Sequence, residues 1–306
     1  MARIVYTRSR VTGLLLAIGI LAVSTSAPLV HFAEPAPPLL VASLRVTLAA
    51  IVLLAVSARD LPAVARLSVR EKLFVVASGI LLGSHYAVWI ASLYYTSTAA
   101  SVALVATQPV FAGLMAWIFL GEGIARREAI GIAIAGVGCL LLAGGDLMAA
   151  SGDALIGDGL ALAGAVTAAG YFIVGRRLRD AVPLGAYLAV VNAIAAVLLV
   201  ATAALAGTPL RGFGAEDYTA IALCALIPSL IGHSLLNWTV RRVPVHLVAL
   251  AILGEPIGAS ALSWLFFKEV PPSHAVLGGV VILVGIAVGF TRFGNQPGRT
   301  GVESES

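Results

Sequence analysis

Ten apolar stretches of about twenty residues each leave this chain almost no polar sequence with which to fold in water. They run roughly over 11–31, 38–57, 72–94, 98–119, 128–145, 157–175, 184–206, 217–240, 246–267 and 274–291 of 306 residues. A helix needs about 20 apolar residues to cross about 30 Å of hydrocarbon. The stretches are apolar all round and carry scattered Gly and Ala, as helices packed closely on one another in lipid do. Apolar residues make up 60% of the chain and charged ones 11%, against about 45–50% and about 25% in soluble domains. A water-soluble globular domain, a disordered chain and a nucleic-acid binder folding in water are excluded. The expected fold is all-α and integral to a membrane, with ten transmembrane helices and no room for a soluble domain.

Arg3, Arg8 and Arg10 ahead of an apolar run that ends at Ser24-Thr25-Ser26-Ala27 imitate a secretory signal. The repeat described below needs this run as the partner of the sixth stretch, so it counts as the first span. The distribution of charge sets the expected orientation. With the N-terminus inside, 16 of the 19 Lys and Arg fall on inner segments, around Arg3, Arg59, Arg70, Arg126, Arg176, Arg241 and Arg292. The outer loops hold only Arg211 and Lys268, and Arg45 lies within a stretch. Short loops rich in Lys and Arg stay in the cytoplasm, which predicts N-in and C-in and an even number of spans. Asp146, Asp153 and Asp158 cluster in one outer loop, in agreement.

The chain repeats itself. Gln108-Pro109 matches Glu255-Pro256, Trp117 matches Trp264, Phe119 matches Phe266, Glu122 matches Glu269, Gly131 matches Gly278 and Gly138 matches Gly285, all at one offset of 147 residues. Arg45 falls opposite Asn192 at the same offset, and Gly83 to Trp89 resembles Gly232 to Trp238 with a shift of two. Two halves of five spans follow, at about 11–145 and 157–291, with a polar cytoplasmic tail at 292–306. Five is odd, so the second half enters the membrane from the opposite side. Inverted-topology repeats of this kind build transporters that alternate access about a site near the midplane.

Ten spans, two five-span repeats, a mid-span Pro in the fourth and ninth spans and an acidic residue closing each resemble the drug/metabolite transporter superfamily, EamA type. The strings that carry the likeness are ATQPVFAGLMAWIFLGE and ILGEPIGASALSWLFFKE. The resemblance implies a permease of the cytoplasmic (inner) membrane of a bacterium, most often an exporter of amino acids or related small metabolites. It does not fix the substrate.

Ionisable groups within the spans are costly, about 2.5–3.5 kcal/mol at least, and so are functional candidates. Glu255 sits near the middle of span nine, beside Pro256 and between Gly254 and Gly258. Pro removes a backbone donor and disfavours helix for the residue before it, which predicts a kink with free carbonyls beside a carboxylate. Such a group can exchange a proton for substrate or pair with a substrate ammonium, which makes Glu255 the expected proton-coupling residue. Its repeat mate Gln108 is neutral and is expected to line the same cavity from the other half. Arg45 lies about 7 residues from the outer end of span two, roughly 10 Å of rise. Three expectations compete for it: snorkelling to the surface, pairing with Glu34 or Glu255, or holding a substrate carboxylate. The structural or gating role is favoured.

His85 and Trp89 stand at i and i+4 and share a helix face, with Tyr86 adjacent; His233 and Asn237 do the same, with Trp238 adjacent. These rows are expected to wall a substrate cavity. Ser24, Ser26, Pro28 and Tyr171 are weaker cavity candidates. Glu122 and Glu269, near Arg126, Arg127 and Lys268, are expected as end anchors or gate ion pairs, with Pro109 and Pro256 as structural breaks. Gly79 with Gly83, and Gly285 with Gly289, have the GxxxG spacing of close helix contacts, within the bundle or between subunits. No metal site is expected, because the histidines are few and no carboxylate shares a face with them. No cofactor is expected either: GxxxxGK[ST], HExxH and GxSxG are missing. Cys139 and Cys224 lie in apolar runs and imply no disulfide framework.

The sequence therefore predicts a secondary transporter, not an enzyme. It would export a small metabolite, an amino acid or related amine, by alternating access, with proton exchange at Glu255. The expected partners are this small-molecule substrate, protons and the lipid bilayer, with no nucleic acid. An uncoupled facilitator, a multidrug or toxic-compound exporter of the same fold, and an intramembrane enzyme acting on a lipid are the alternatives. The last would need clustered carboxylates or a nucleophile with a base, and neither is present in the sequence.

Overall fold

The computed structural model describes residues 10–147, 152–268, 270 and 273–290, and every regular element among them is helical. The first half holds α1 (Arg10–Ser24), α2 (Ser26–Phe32), α3 (Pro38–Val56), the short α4 (Pro62–Ala65), α5 (Val69–Tyr95), α6 (Thr98–Val105), α7 (Gln108–Leu120) and α8 (Arg126–Leu147). The second holds α9 (Gly152–Arg177), α10 (Leu184–Leu205), α11 (Ala215–Cys224), a π-helical stretch (Ala225–His233), α12 (Ser234–Val240), α13 (Val245–Ile252), α14 (Glu255–Phe267) and α15 (Ser273–Phe290). Glu269 and the tail at 292–306 lie outside the described residues, as do Arg3 and Arg8.

Eight helical runs among the described residues are long and apolar enough to cross a bilayer: Val11–Phe32, Pro38–Val56, Val69–Tyr95, Ala100–Leu120, Gly152–Arg177, Leu184–Leu205, Ala215–Val240 and Val245–Phe266. Val276–Phe290 is a shorter apolar helix. The fifth apolar stretch of the sequence is the continuous helix α8, packed along α15.

Several of the runs are broken, each for a local reason. The two proline breaks fall at repeat-related positions. Ahead of Pro109 the chain tightens into an i→i−3 turn, with the Thr107 amide donating to Leu104 O at 3.0 Å. Ahead of Pro256 the Gly254 amide donates to Ala251 O, also at 3.0 Å. The new helices then start with Gln108-Pro109 and Glu255-Pro256 in their first turn, where Pro needs no donor and its φ suits a helix start. The π-helical stretch contains Pro228, and the Ser229 hydroxyl fills in by donating to Cys224 O at 3.1 Å.

Helix pairing obeys a two-fold relation between the halves. α3 packs on α10 and α8 packs on α15, each helix against its own repeat counterpart. α5 packs on α9, while the counterpart pair, α1 with the π-helical stretch and α12, also packs together. The repeat-matched glycines show the exchange at atomic scale. A Cβ added at Gly138 would meet Gly278 O at 2.7 Å, and one at Gly278 would meet Gly138 O at 2.6 Å. A Cβ at Gly131 would meet Gly285 O at 2.6 Å, and one at Gly285 would meet Gly131 O at 2.7 Å. Small residues permit this approach, and dispersion and packing then hold the helices where no hydrophobic force operates. The Gly79/Gly83 pair works the same way against Ile194 and Ala195 of α10, and Gly289 against Leu250. Both GxxxG pairs thus make contacts inside the bundle. The matched aromatic residues Trp117, Phe119, Trp264 and Phe266 are exposed on its outside, as side chains that face lipid are.

Candidate functional site

The two proline breaks bring the starts of α7 and α14 to one cavity. Its polar lining is Ser26, His85, Trp89, Gln108, Tyr171, His233 and Glu255, and its apolar lining includes Val23, Phe172, Leu236 and Ile252. Its volume is ≈ 50 Å³, room for a few waters at about 10–15 Å³ each.

Glu255 occupies the first turn of α14, the positive end of the helix dipole. No side chain or amide among the described residues donates a hydrogen bond to its carboxylate, which faces the cavity. Gln108, in the first turn of α7, is buried, and its Nε2 has no partner. His85 stacks on Trp89 with planes 4° apart and centroids at 6.1 Å. Its Nδ1 is 2.9 Å from Gly164 O, so His85 both lines the cavity and ties α5 to α9. His233 closes the ring of aromatics, 5.5 Å from Tyr86 and 6.4 Å from His85 between centroids.

Arg45 departs from two of its sequence expectations. It is fully buried at 0% exposure, so it does not snorkel. It also makes no ion pair: Glu34 lies beside His31 at 3.3 Å, and no described carboxylate is within 4.0 Å of the guanidinium. Nε donates to Ser229 Oγ at 2.8 Å and Nη1 to Ser26 Oγ at 2.7 Å. The guanidinium carbon sits 4.6 Å from the centroid of Tyr86 and 5.9 Å from that of Trp89, in cation–π range. Neutral hydroxyls and aromatic faces thus hold a buried cation directly behind Ser26.

Of the remaining candidates, Tyr86 is buried against Arg45, with its hydroxyl 3.4 Å from Ser229 Oγ. Asn237 turns into its own helix, donating to His233 O at 2.7 Å. Trp238 lies away from the cavity, under Arg242 at 3.7 Å. Ser24 bonds to Ile20 O at 2.8 Å and sits against Gly258. Ser229 was not singled out by the sequence. Its signal was present, since it extends the His233–Asn237 row by one turn.

The arginine-rich end of the bundle is tied across the two halves. Glu122 Oε1 accepts from Arg176 Nη2 at 2.8 Å and from Nε at 3.0 Å, and Arg176 Nη1 donates to Val240 O at 3.0 Å. Sequence proximity pointed to Arg126 and Arg127 as the partners of Glu122; the fold supplies Arg176 from α9 instead. Glu128 Oε2 lies 3.0 Å from His246 Nε2. Arg241 donates to Val182 O at 2.8 Å and stacks over Tyr187 at 5.3 Å; burial lowers its pKa below the ordinary guanidinium value.

The model of the EamA-like transporter family matches twice, over residues 11–144 and 155–291. The chain belongs to the EamA-like transporter family. It is a multi-pass membrane protein of the drug/metabolite transporter type, and the members of its family are transporters. No curated protein matches it. Among solved structures, 29 chains match. One crystal structure superposes with a TM-score of 0.77 at 20% identity, over 92% of this chain and 96% of that one. At that identity the likeness speaks for the fold.

Proposed function

We propose that the protein is a secondary active transporter with ten spans, α8 and α15 being the fifth and tenth, in two inverted five-helix units at 11–145 and 157–291. In this reading both termini are cytoplasmic, and the arginine-rich end faces the cytoplasm of a bacterial inner membrane. The halves rock about the central cavity, exporting a small metabolite of the amino acid or amine class in exchange for a proton carried by Glu255.

The observation that carries the reading is the meeting of two repeat-related helix breaks at one cavity lined by Gln108 and Glu255. Discontinuous helices whose N-termini point at a midplane site are the device by which repeat-built transporters hold a substrate. The charges sit where a transport cycle can use them: one unpaired carboxylate on the wall, one buried guanidinium behind it. The Glu122–Arg176 and Glu128–His246 contacts close one end and must part for the cavity to open there. His85, Tyr86, Trp89, Gln108, His233 and Glu255 form the substrate environment.

The test is cellular. Cells expressing the protein are challenged with a toxic amino-acid analogue or amine. Glu255→Ala and Gln108→Ala are predicted to abolish the resistance conferred by the wild type while reaching the membrane at equal levels. Full resistance in both variants would refute a transport role for the cavity.

A further inference from the structure

We infer that the arginine-rich end of the bundle carries a site for the headgroup of an anionic phospholipid, formed by Arg70 and Arg177 about Phe74. The site lies apart from the central cavity and stands whatever the cavity transports.

Its position is set by two helix ends. Val69–Tyr95 and Gly152–Arg177 are both long and apolar enough to cross a bilayer, so Arg70 opens one span and Arg177 closes the other. α5 and α9 pack along each other, and both arginines meet at one end of the bundle, where apolar sequence gives way to polar. That is the level of the lipid headgroups. Both arginines are exposed, and Phe74 is half-buried. The guanidinium carbon of Arg70 lies 5.8 Å from the centroid of Phe74, and that of Arg177 lies 5.5 Å from it. Both are in cation–π range. Arg177 is tethered further by its Nη1, which donates to Phe119 O at 3.2 Å.

Two like charges brought to one ring repel each other, and the protein supplies them no counter-charge. No described carboxylate is within 4.0 Å of either guanidinium. The acidic residues of this end are engaged elsewhere. Glu71 turns back to cap α5, its Oε2 accepting from the Ser68 amide at 2.8 Å and from the Ser68 hydroxyl at 2.6 Å. Glu122 is held by Arg176, and Asp180 pairs with Arg179 at 3.0 Å. The anion that neutralises Arg70 and Arg177 therefore comes from outside the chain.

The surroundings select which anion. Val69, Leu73 and Phe119 are 75%, 63% and 60% exposed, so apolar side chains face outward beside the guanidinium groups. A free phosphate ion gains nothing from them. A phospholipid lays its acyl chains on this apolar surface while its phosphate oxygens accept from the guanidinium forks, a pairing that suits arginine geometry. Basic sites at the ends of packed spans take anionic headgroups on this principle. A zwitterionic headgroup would bring a cation of its own to two arginines, which favours a headgroup with net negative charge.

The experiment is native mass spectrometry of the purified, delipidated full-length protein in detergent, titrated with dioleoylphosphatidylglycerol, dioleoylphosphatidylcholine or glycerol 1-phosphate. The first phosphatidylglycerol is expected to bind at least fivefold more tightly than phosphatidylcholine, and glycerol 1-phosphate at equal concentration is expected not to displace it. Arg70→Gln with Arg177→Gln should bring the two lipids within twofold of each other. Arg126→Gln with Arg127→Gln removes the same charge from exposed positions at the same end and should keep a preference of at least threefold. Should the first double variant fail to fold, Arg70→Gln alone is expected to lower the preference at least twofold. Equal loss in the two double variants, an unchanged preference in Arg70→Gln, equal binding of both lipids by the wild type, or displacement by glycerol 1-phosphate overturns the inference.

Discussion

The glycine crossing of α8 and α15 makes a prediction with its own control on the same helix. Gly138 and Gly136 lie two residues apart on α8, and both are glycines in an apolar helix. A Cβ at Gly138 would lie 2.6 Å from the backbone N of Ile282 and 2.7 Å from Gly278 O, whereas a Cβ at Gly136 meets nothing within 4 Å. Ordinary contact begins near 3.4 Å, so Gly138→Ala must part α8 and α15 by most of an ångström. The obstructing atoms are backbone and cannot rotate away. Overpacking of this kind costs about 1–3 kcal/mol. The separation also loosens the reciprocal contact at Gly131 and Gly285. Gly136→Ala has open space and is expected to keep or raise stability, by up to about 1 kcal/mol, the gain of Ala over Gly within a helix. The assay is equilibrium unfolding of purified protein in mixed micelles, followed by helical circular dichroism for wild type and both variants. Equal stability of the two variants would refute the assignment of Gly138 to a backbone-to-backbone crossing, and with it the two-fold exchange of glycines between the repeats.

Further outcomes follow from single contacts. Glu122→Gln removes the charge opposite Arg176, whose side chain is 1% exposed; weakening these charge-assisted hydrogen bonds should cost about 1.5–3 kcal/mol, and Glu122→Leu with Arg176→Met should recover part of it in the same unfolding assay. Ser229→Ala removes the acceptor of Arg45 Nε and should cost about 1–3 kcal/mol; Ser229→Thr, which keeps the hydroxyl, should restore most of it. Glu128→Ala leaves His246 Nε2 and the Ala125 amide without their acceptor, with an expected loss of about 1–3 kcal/mol read from the thermal unfolding midpoint.

The helical class, the two repeats and the breaks at Pro109 and Pro256 were legible because each rests on local or periodic information. Apolar length predicts helices in lipid, proline interrupts them, and a constant offset pairs the interruptions. That pairing also led to Gln108 and Glu255 as residues of one cavity. What could not be read was which residue meets which across the bundle. Arg45 had a legible depth, but its partners Ser26 and Ser229 come from two other spans, 19 and 184 residues away. Glu122 had basic neighbours in sequence, yet α8 carries them past it while the end of α9 delivers Arg176. Trp238 followed Asn237 in the sequence row, but adjacent helix positions point about 100° apart, and Trp238 went to Arg242. Ser229 stood in the right row and was passed over because a lone serine in an apolar span usually bonds to its own helix. It does so here, to Cys224 O, and the π-helical turn still leaves its oxygen free to accept from Arg45.

The central claim is that Glu255 couples a proton to substrate movement through the cavity. The most direct measurement uses the purified protein in liposomes with a pH-sensitive dye trapped inside, an imposed pH gradient and an added panel of amino acids and organic amines. Wild type is predicted to show a substrate-dependent proton flux that Glu255→Gln abolishes. A flux of equal size in Glu255→Gln, or substrate movement in wild type with no proton flux, would contradict the claim.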